Sequence, residues 1–152
     1  MPDIEDSYKY LQTSFNFRII IDGITDINEG NFQEVSGIKV NISFEEIKEG
    51  GENTFTRRFP KPPTYQNLIL KRGVLKGSPL IKWATTTFET FKFMPKNVIL
   101  QLMDENQKPV MSWTFSNAYP VGISTGEFNA MENKILVETL ELAYDSFTAK
   151  TF

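Results

Sequence analysis

The chain has no cysteine and no histidine. Without cysteine there is no disulfide framework, no thiol nucleophile and no cysteine-type zinc site. Without histidine the Ser-His-Asp triad, imidazole–metal sites and the usual proton shuttle near neutral pH are excluded as well. Long apolar runs are also missing. A stretch such as residues 17–21 is interrupted by Arg18 and falls far short of the roughly 20 residues of a membrane helix. Nor is there a positive excess: 16 Lys and Arg stand against 19 Asp and Glu, for a net charge of −3. An acidic domain is not built to grip bulk nucleic acid. Residues 1–7 are polar and acidic, with no basic start followed by an apolar run, so the expectation is synthesis and folding in the cytoplasm.

What is plentiful is aromatic sequence. The 152 residues hold 13 Phe, 5 Tyr and 2 Trp, which leans towards β structure. The length suits one domain, and such a domain buries about 68–70% of its unfolded surface without covalent staples. Residues 1–14 read as an arm and 15–152 as the domain. Phe15, Phe17, Ile19 and Ile21 alternate at a period of two, which predicts a half-buried strand. Ile38, Val40, Ile42 and Phe44 do the same after Ser36 and Gly37, where a bulge fits. Residues 45–64 carry charges, paired glycines and three prolines, and read as a long loop. Leu68 and Leu70 resume the extended pattern.

Ser78 and Pro79 form a helix start, a capping hydroxyl followed by proline. Leu80, Ala84, Phe88 and Phe91 then make one apolar helical stripe. Val98, Leu100 and Leu102, a turn at 104–109, and Met111, Trp113 and Phe115 predict a β-hairpin. Residues 119–133 read as irregular, and 134–144 suit a strand or a helix equally. The fold class expected is mainly β: an antiparallel sandwich or barrel of about six strands flanked by one helix. Its core candidates are Phe17, Ile19, Leu70, Trp83, Phe88, Trp113, Phe115, Leu140 and Leu142.

Motifs that carry chemistry are weak. Residues 73–78 lack the Gly-Lys-Ser/Thr order that sets a lysine on a phosphate. The acidic turn at Asp104 has no calcium-loop glycine or terminal glutamate at the needed offset. Asn41-Ile42-Ser43 fits the glycosylation pattern but falls in a predicted strand. Glu138 and Glu141 could serve a carboxylate-based glycan hydrolase, yet on a strand they face opposite ways. Arg57-Arg58 and Lys71-Arg72 lie among aromatics, a mixture that single-strand nucleic-acid binders use. Glu45, Glu46, Glu49 and Glu52 precede the first pair, and self-complementary charge between copies explains both signs at once. No catalytic residue, metal site or cofactor is expected.

Several segments, taken in order, resemble the tail-tube protein family of contractile phage tails and phage-tail-like injection particles. They are residues 32–37 (FQEVSG), 49–53 (EGGEN), 65–73 (YQNLILKRG), a single helix with Trp83, 113–120 (WTFSNAYP), 128–130 (FNA) and 138–143 (ETLELA). The resemblance runs from about Phe15 to Tyr144, and Tyr144 departs from it where many relatives carry histidine. It implies a barrel-like sandwich similar to the haemolysin-coregulated protein of type VI secretion, with 134–144 as a strand. It further implies homohexameric rings stacked into a hollow conduit for cargo, made in the bacterial cytoplasm and meeting sheath, baseplate, tube-terminator and paralogous tube proteins. The alternative within the family is a tube initiator at the baseplate end. Ring-to-ring contact is expected of Glu46, Glu49, Gly50, Gly51, Glu52, Asn53, Arg57 and Arg58, and contact within a ring of Lys71, Arg72, Glu138 and Glu141. The arm, residues 1–13, is expected to dock on an adjacent ring. Neither membrane insertion nor sequence-specific nucleic-acid binding is expected.

Overall fold

A computed structural model describes residues 16–24, 31–48, 50–51, 54–74, 77–126, 131 and 136–152. The expected arm at 1–14, the 128–130 motif and Glu49, Glu52 and Asn53 lie outside the described residues. In chain order the elements are β1 (Asn16–Ile21), β2 (Asn31–Phe32), β3 (Glu34–Ser36), β4 (Val40–Asn41), β5 (Phe44–Ile47), β6 (Arg57–Pro60), β7 (Thr64–Tyr65) and β8 (Leu68–Gly73). Then follow α1 (Pro79–Thr90), β9 (Lys96–Met103), β10 (Pro109–Thr125), β11 (Val137–Ala143) and β12 (Ser146–Thr151). The fold is mainly β and antiparallel with one helix. No closed barrel forms among the described residues.

Eight strands form one sheet; seven lie on the hydrogen-bonded path β2-β1-β9-β10-β11-β8-β3, and β12 pairs with β10 off that path. Its two ends, β2 and β3, are separated in the chain by Gln33 alone, whose N–H donates to the Lys71 carbonyl at 2.9 Å. Strand β10 serves both halves of the path. Its residues 111–116 lie between β9 and β12, and 119–125 pair with β11. The turn between these duties is built by Asn117. It takes a left-handed φ of 53° at the bulge between Phe115 and Ala118, a conformation asparagine tolerates better than most residues. Its Nδ2 donates to Asp145 Oδ2 at 2.8 Å, and its N–H donates to Asn97 Oδ1 at 3.2 Å. Residues 119–125, expected to be irregular, are strand. Pro120 and Gly122 hide the alternation because a second bulge lies between them.

One core joins both halves of the path and the helix. Ile19, Ile21, Val98, Leu100 and Phe115 meet Leu68, Leu70, Leu140 and Leu142 there. Full burial of such side chains contributes about 1.5–3 kcal/mol each. Phe17 and Trp113 are half-buried against the same cluster. On α1 the Ser78 Oγ accepts from the Ile81 N–H at 3.2 Å, with Pro79 opening the helix. The buried residues of α1 are Leu80, Trp83, Ala84 and Thr87. Thr87 can be buried because its hydroxyl donates to the Trp83 carbonyl at 2.9 Å. This rotates the apolar face away from Phe88, which is 41% exposed instead of lying in the core.

Within 45–64, expected to be a loop throughout, residues 45–47, 57–60 and 64 are strand. β4 pairs with β7 and β5 with β6, each a two-stranded sheet with no further neighbour. Together they form a ribbon. Asn41 faces Thr64 but Phe44 faces Pro60, so the returning strand carries one extra residue near Pro62 and Pro63. At the ribbon's root Gly37 has φ +87°, and a Cβ there would lie 2.0 Å from the Asn67 carbonyl oxygen. Only glycine fits.

Candidate functional site

Among the described residues no group of three or more Asp and Glu could hold a metal ion. Glu138 and Glu141 lie on opposite sides of β11. Glu138 turns inward to Arg72 at 3.9 Å, while Glu141 accepts from Asn67 Nδ2 at 2.8 Å. Carboxylates so divided cannot flank one glycosidic bond. What the surface does offer is apolar area and charge arranged for contact.

The ribbon supplies the first such surface. Along β4 and β5 side chains alternate, so Val40, Ile42 and Phe44 share one face, with Pro60 opposite Phe44. Val40, Ile42 and Phe44 are 45, 54 and 55% exposed. Ile47, Phe55 and Phe59 are exposed too. Phe59 lies opposite Glu45 and Ile47 opposite Arg57, so apolar and charged residues share the second face. Glu46 and Arg58 pair at 3.5 Å and both stay largely in solvent, where such a bridge adds little stability. Gly50 and Gly51 stand at the tip, Gly51 at φ +93°, with open space around both.

Of the residues expected at contacts within a ring, only two are available to a neighbour. Lys71 and Glu141 are on the outer side, Lys71 pairing with Glu34 at 3.5 Å. Arg72 is 3% exposed. Its guanidinium lies 5.0 Å from the centre of the Phe32 ring, donates to Ser78 Oγ and faces Glu138. One side chain thus ties β8 to β2, β11 and the cap of α1. Arg72 and Glu138 act within the subunit, because a charge placed that deep must be paired. From the sequence Arg72 looks like the partner of Lys71. The alternation of β8, with Leu68, Leu70 and Arg72 buried in turn, is the signal that separates them.

A second exposed apolar surface follows α1. Phe91 caps the helix in the left-handed region, φ 53° and ψ 31°, and is 80% exposed. Phe88, Phe93 and Met94 are 41, 43 and 65% exposed beside it. The loop is fixed: Trp83 Nε1 donates to the Met94 carbonyl at 3.2 Å, and Phe93 packs edge-on between Phe91 and Tyr119 at 5.1 and 5.5 Å. The sequence reading placed Phe88 and Phe91 on the buried stripe and so missed this platform.

Below the root of the ribbon, Tyr65, Phe115, Tyr144 and Phe147 form an edge-to-face cluster. The Tyr144 hydroxyl is buried there with no hydrogen-bond partner among the described residues. Burial, with a smaller contribution from Tyr65, raises its pKa above the ordinary tyrosine value.

Residues 13–148 match the family described as T4-like virus tail tube protein gp19. A comparison with curated protein sequences gives no match. Among solved structures, the chain is 28% identical to a chain of the anti-feeding prophage baseplate, covering 90% of this chain and 92% of that one with a TM-score of 0.76. A chain of the sheath–tube complex of PVC, an extracellular contractile injection system in its extended state, is 21% identical over 100% of both chains, TM-score 0.79. Hcp1 from Salmonella typhimurium is 19% identical, covering 91% of this chain and 87% of that one, TM-score 0.55. The last two likenesses are of fold.

Proposed function

The chain belongs to the T4-like virus tail tube protein gp19 family, and from that membership we propose that its copies close into hexameric rings and stack into the inner tube of a contractile injection particle. The observation that carries the reading is the ribbon: a two-stranded sheet with large apolar side chains bare on both faces. A lone hairpin is marginal in water and gains stability from a surface that covers it. Rings that stack without end need heterologous contacts, one face of a subunit against a different face of the next. The ribbon, with Glu46, Gly50, Gly51, Arg57 and Arg58, supplies the contact between rings. Lys71 and Glu141 lie on strands whose outer side supplies contact within a ring.

The tube is a scaffold and conduit with no catalytic step. Sheath surrounds it, baseplate and terminator proteins meet its ends, and cargo occupies its lumen. Assembly takes place in the bacterial cytoplasm. The test is electron microscopy of purified protein with light scattering. Rings or tubes of uniform diameter support the reading, and persistent monomers at high concentration refute it. The 28% likeness to a baseplate chain supports a second role, an initiator ring at the baseplate end. Long tubes from this chain alone favour the main tube subunit, and single rings that never lengthen favour the initiator.

A further inference from the structure

Resting on the stacking reading above, we propose that the apolar face of one copy's ribbon, formed by Ile42, Phe44 and Pro60, seats on the platform of Phe88, Phe91, Phe93 and Met94 of a copy in the adjacent ring. A heterologous contact needs two different patches on one chain. Among the described residues, the ribbon and this platform each carry four or more exposed large apolar side chains near one another in the chain or across a ladder.

Size decides which copy docks. At about 200 Å² per side chain, the exposed fractions of the platform residues leave roughly 450 Å² bare. The ribbon face of Ile42, Phe44 and Pro60 adds roughly 300 Å² by the same measure, so one contact buries about 750 Å², below the roughly 1,000 Å² of an interface that holds in isolation. Six such contacts engaged together exceed that several-fold. The contact is therefore too small for a free dimer and ample between closed rings. Charge agrees. Glu46 and Arg58 on the ribbon and Glu89 and Lys92 on the platform put one charge of each sign beside each apolar group, so the rims pair crosswise.

The platform also bears a cost that folding alone does not explain. A non-glycine residue in the left-handed region is disfavoured by roughly 1–2 kcal/mol, and asparagine relieves much of that. A phenyl ring at Phe91, bare and strained, gains its return in a contact outside the subunit.

The cysteine-free chain allows a direct test. Glu46→Cys/Lys92→Cys tubes, which keep every apolar anchor, treated with a short bis-maleimide should give a ladder of multimers on a denaturing gel, while each single variant stays one band. A dimer from Lys92→Cys alone, which would mean platform on platform, overturns the proposal. So do assembled double-variant tubes that give no ladder. A wild-type chain that never assembles overturns the stacking reading itself and is seen before any cysteine is introduced. Independently, Phe91→Asn should keep or raise the melting temperature of the subunit. It should also raise the concentration needed for stacking by about tenfold or more, the effect of losing one aromatic anchor. Unchanged stacking refutes the contact.

Discussion

The body and the ribbon are written in the same local code and end in opposite environments. Both alternate apolar and polar residues along antiparallel strands. In the body Leu68, Leu70, Leu100 and Leu142 are fully enclosed, because a second layer and α1 close over them. In the ribbon Ile42 and Phe44 alternate just as well, yet about half of each remains in water. Period two says which residues share a face; only a second layer says whether that face is dry. Body side chains hold the subunit, whereas those of the ribbon remain exposed on it.

Substitutions can break that contrast. Phe115→Ala should cost about 3–5 kcal/mol of stability in urea titration, whereas Phe44→Ser should cost within about 0.5 kcal/mol and abolish tubes in electron micrographs. A ribbon substitution that unfolds the subunit would erase the distinction. Arg72→Met should cost about 3–5 kcal/mol by removing the guanidinium that faces Glu138, and Arg72→Met/Glu138→Met should recover most of it. Failure of the double variant to recover would show that the guanidinium matters more for Phe32 and Ser78.

At the joint between the two regions, Gly37→Ala should cost about 1–3 kcal/mol, since its Cβ and the Asn67 carbonyl cannot both stay in place. A melting temperature equal to wild type would show that the ribbon root yields freely. The smallest effect is at Tyr144. Removing its unpartnered hydroxyl as Tyr144→Phe should leave stability unchanged or raise it by about 1 kcal/mol at neutral pH. Its folded-state pKa is raised, so this group's contribution is intact below the ordinary tyrosine value of about 10 and declines as pH climbs beyond it. The Phe variant should lose less stability than wild type in that alkaline range, as read by thermal melts across pH.

Much of the body was legible because burial there follows alternation: Ile19, Leu100 and Phe115 lie where a period of two places them, while Leu140 and Leu142 lie on a strand that the family resemblance, not periodicity, implied. The helix start was legible from Ser78 and Pro79, but its inward face was not. Thr87 looks polar until its hydroxyl bonds to the Trp83 carbonyl, and Phe88 looks like core until Trp83 and Ala84 are seen facing in. The ribbon was read as a loop because glycines, prolines and charges are loop signals. Its ladder, with Lys61 N–H donating to the Ser43 carbonyl, joins residues too far apart in sequence for local patterns to reveal. The same distance hid the partnership of Arg72 with Phe32 and Glu138.

Strand β10 has a mechanical consequence. Its 17 residues have a contour of about 55 Å at roughly 3.3 Å each and pass, bent at two bulges, through both halves of the β structure as one chain. A force that would slide one half over the other must therefore stretch or bend a single covalent backbone as well as rupture a seam of hydrogen bonds.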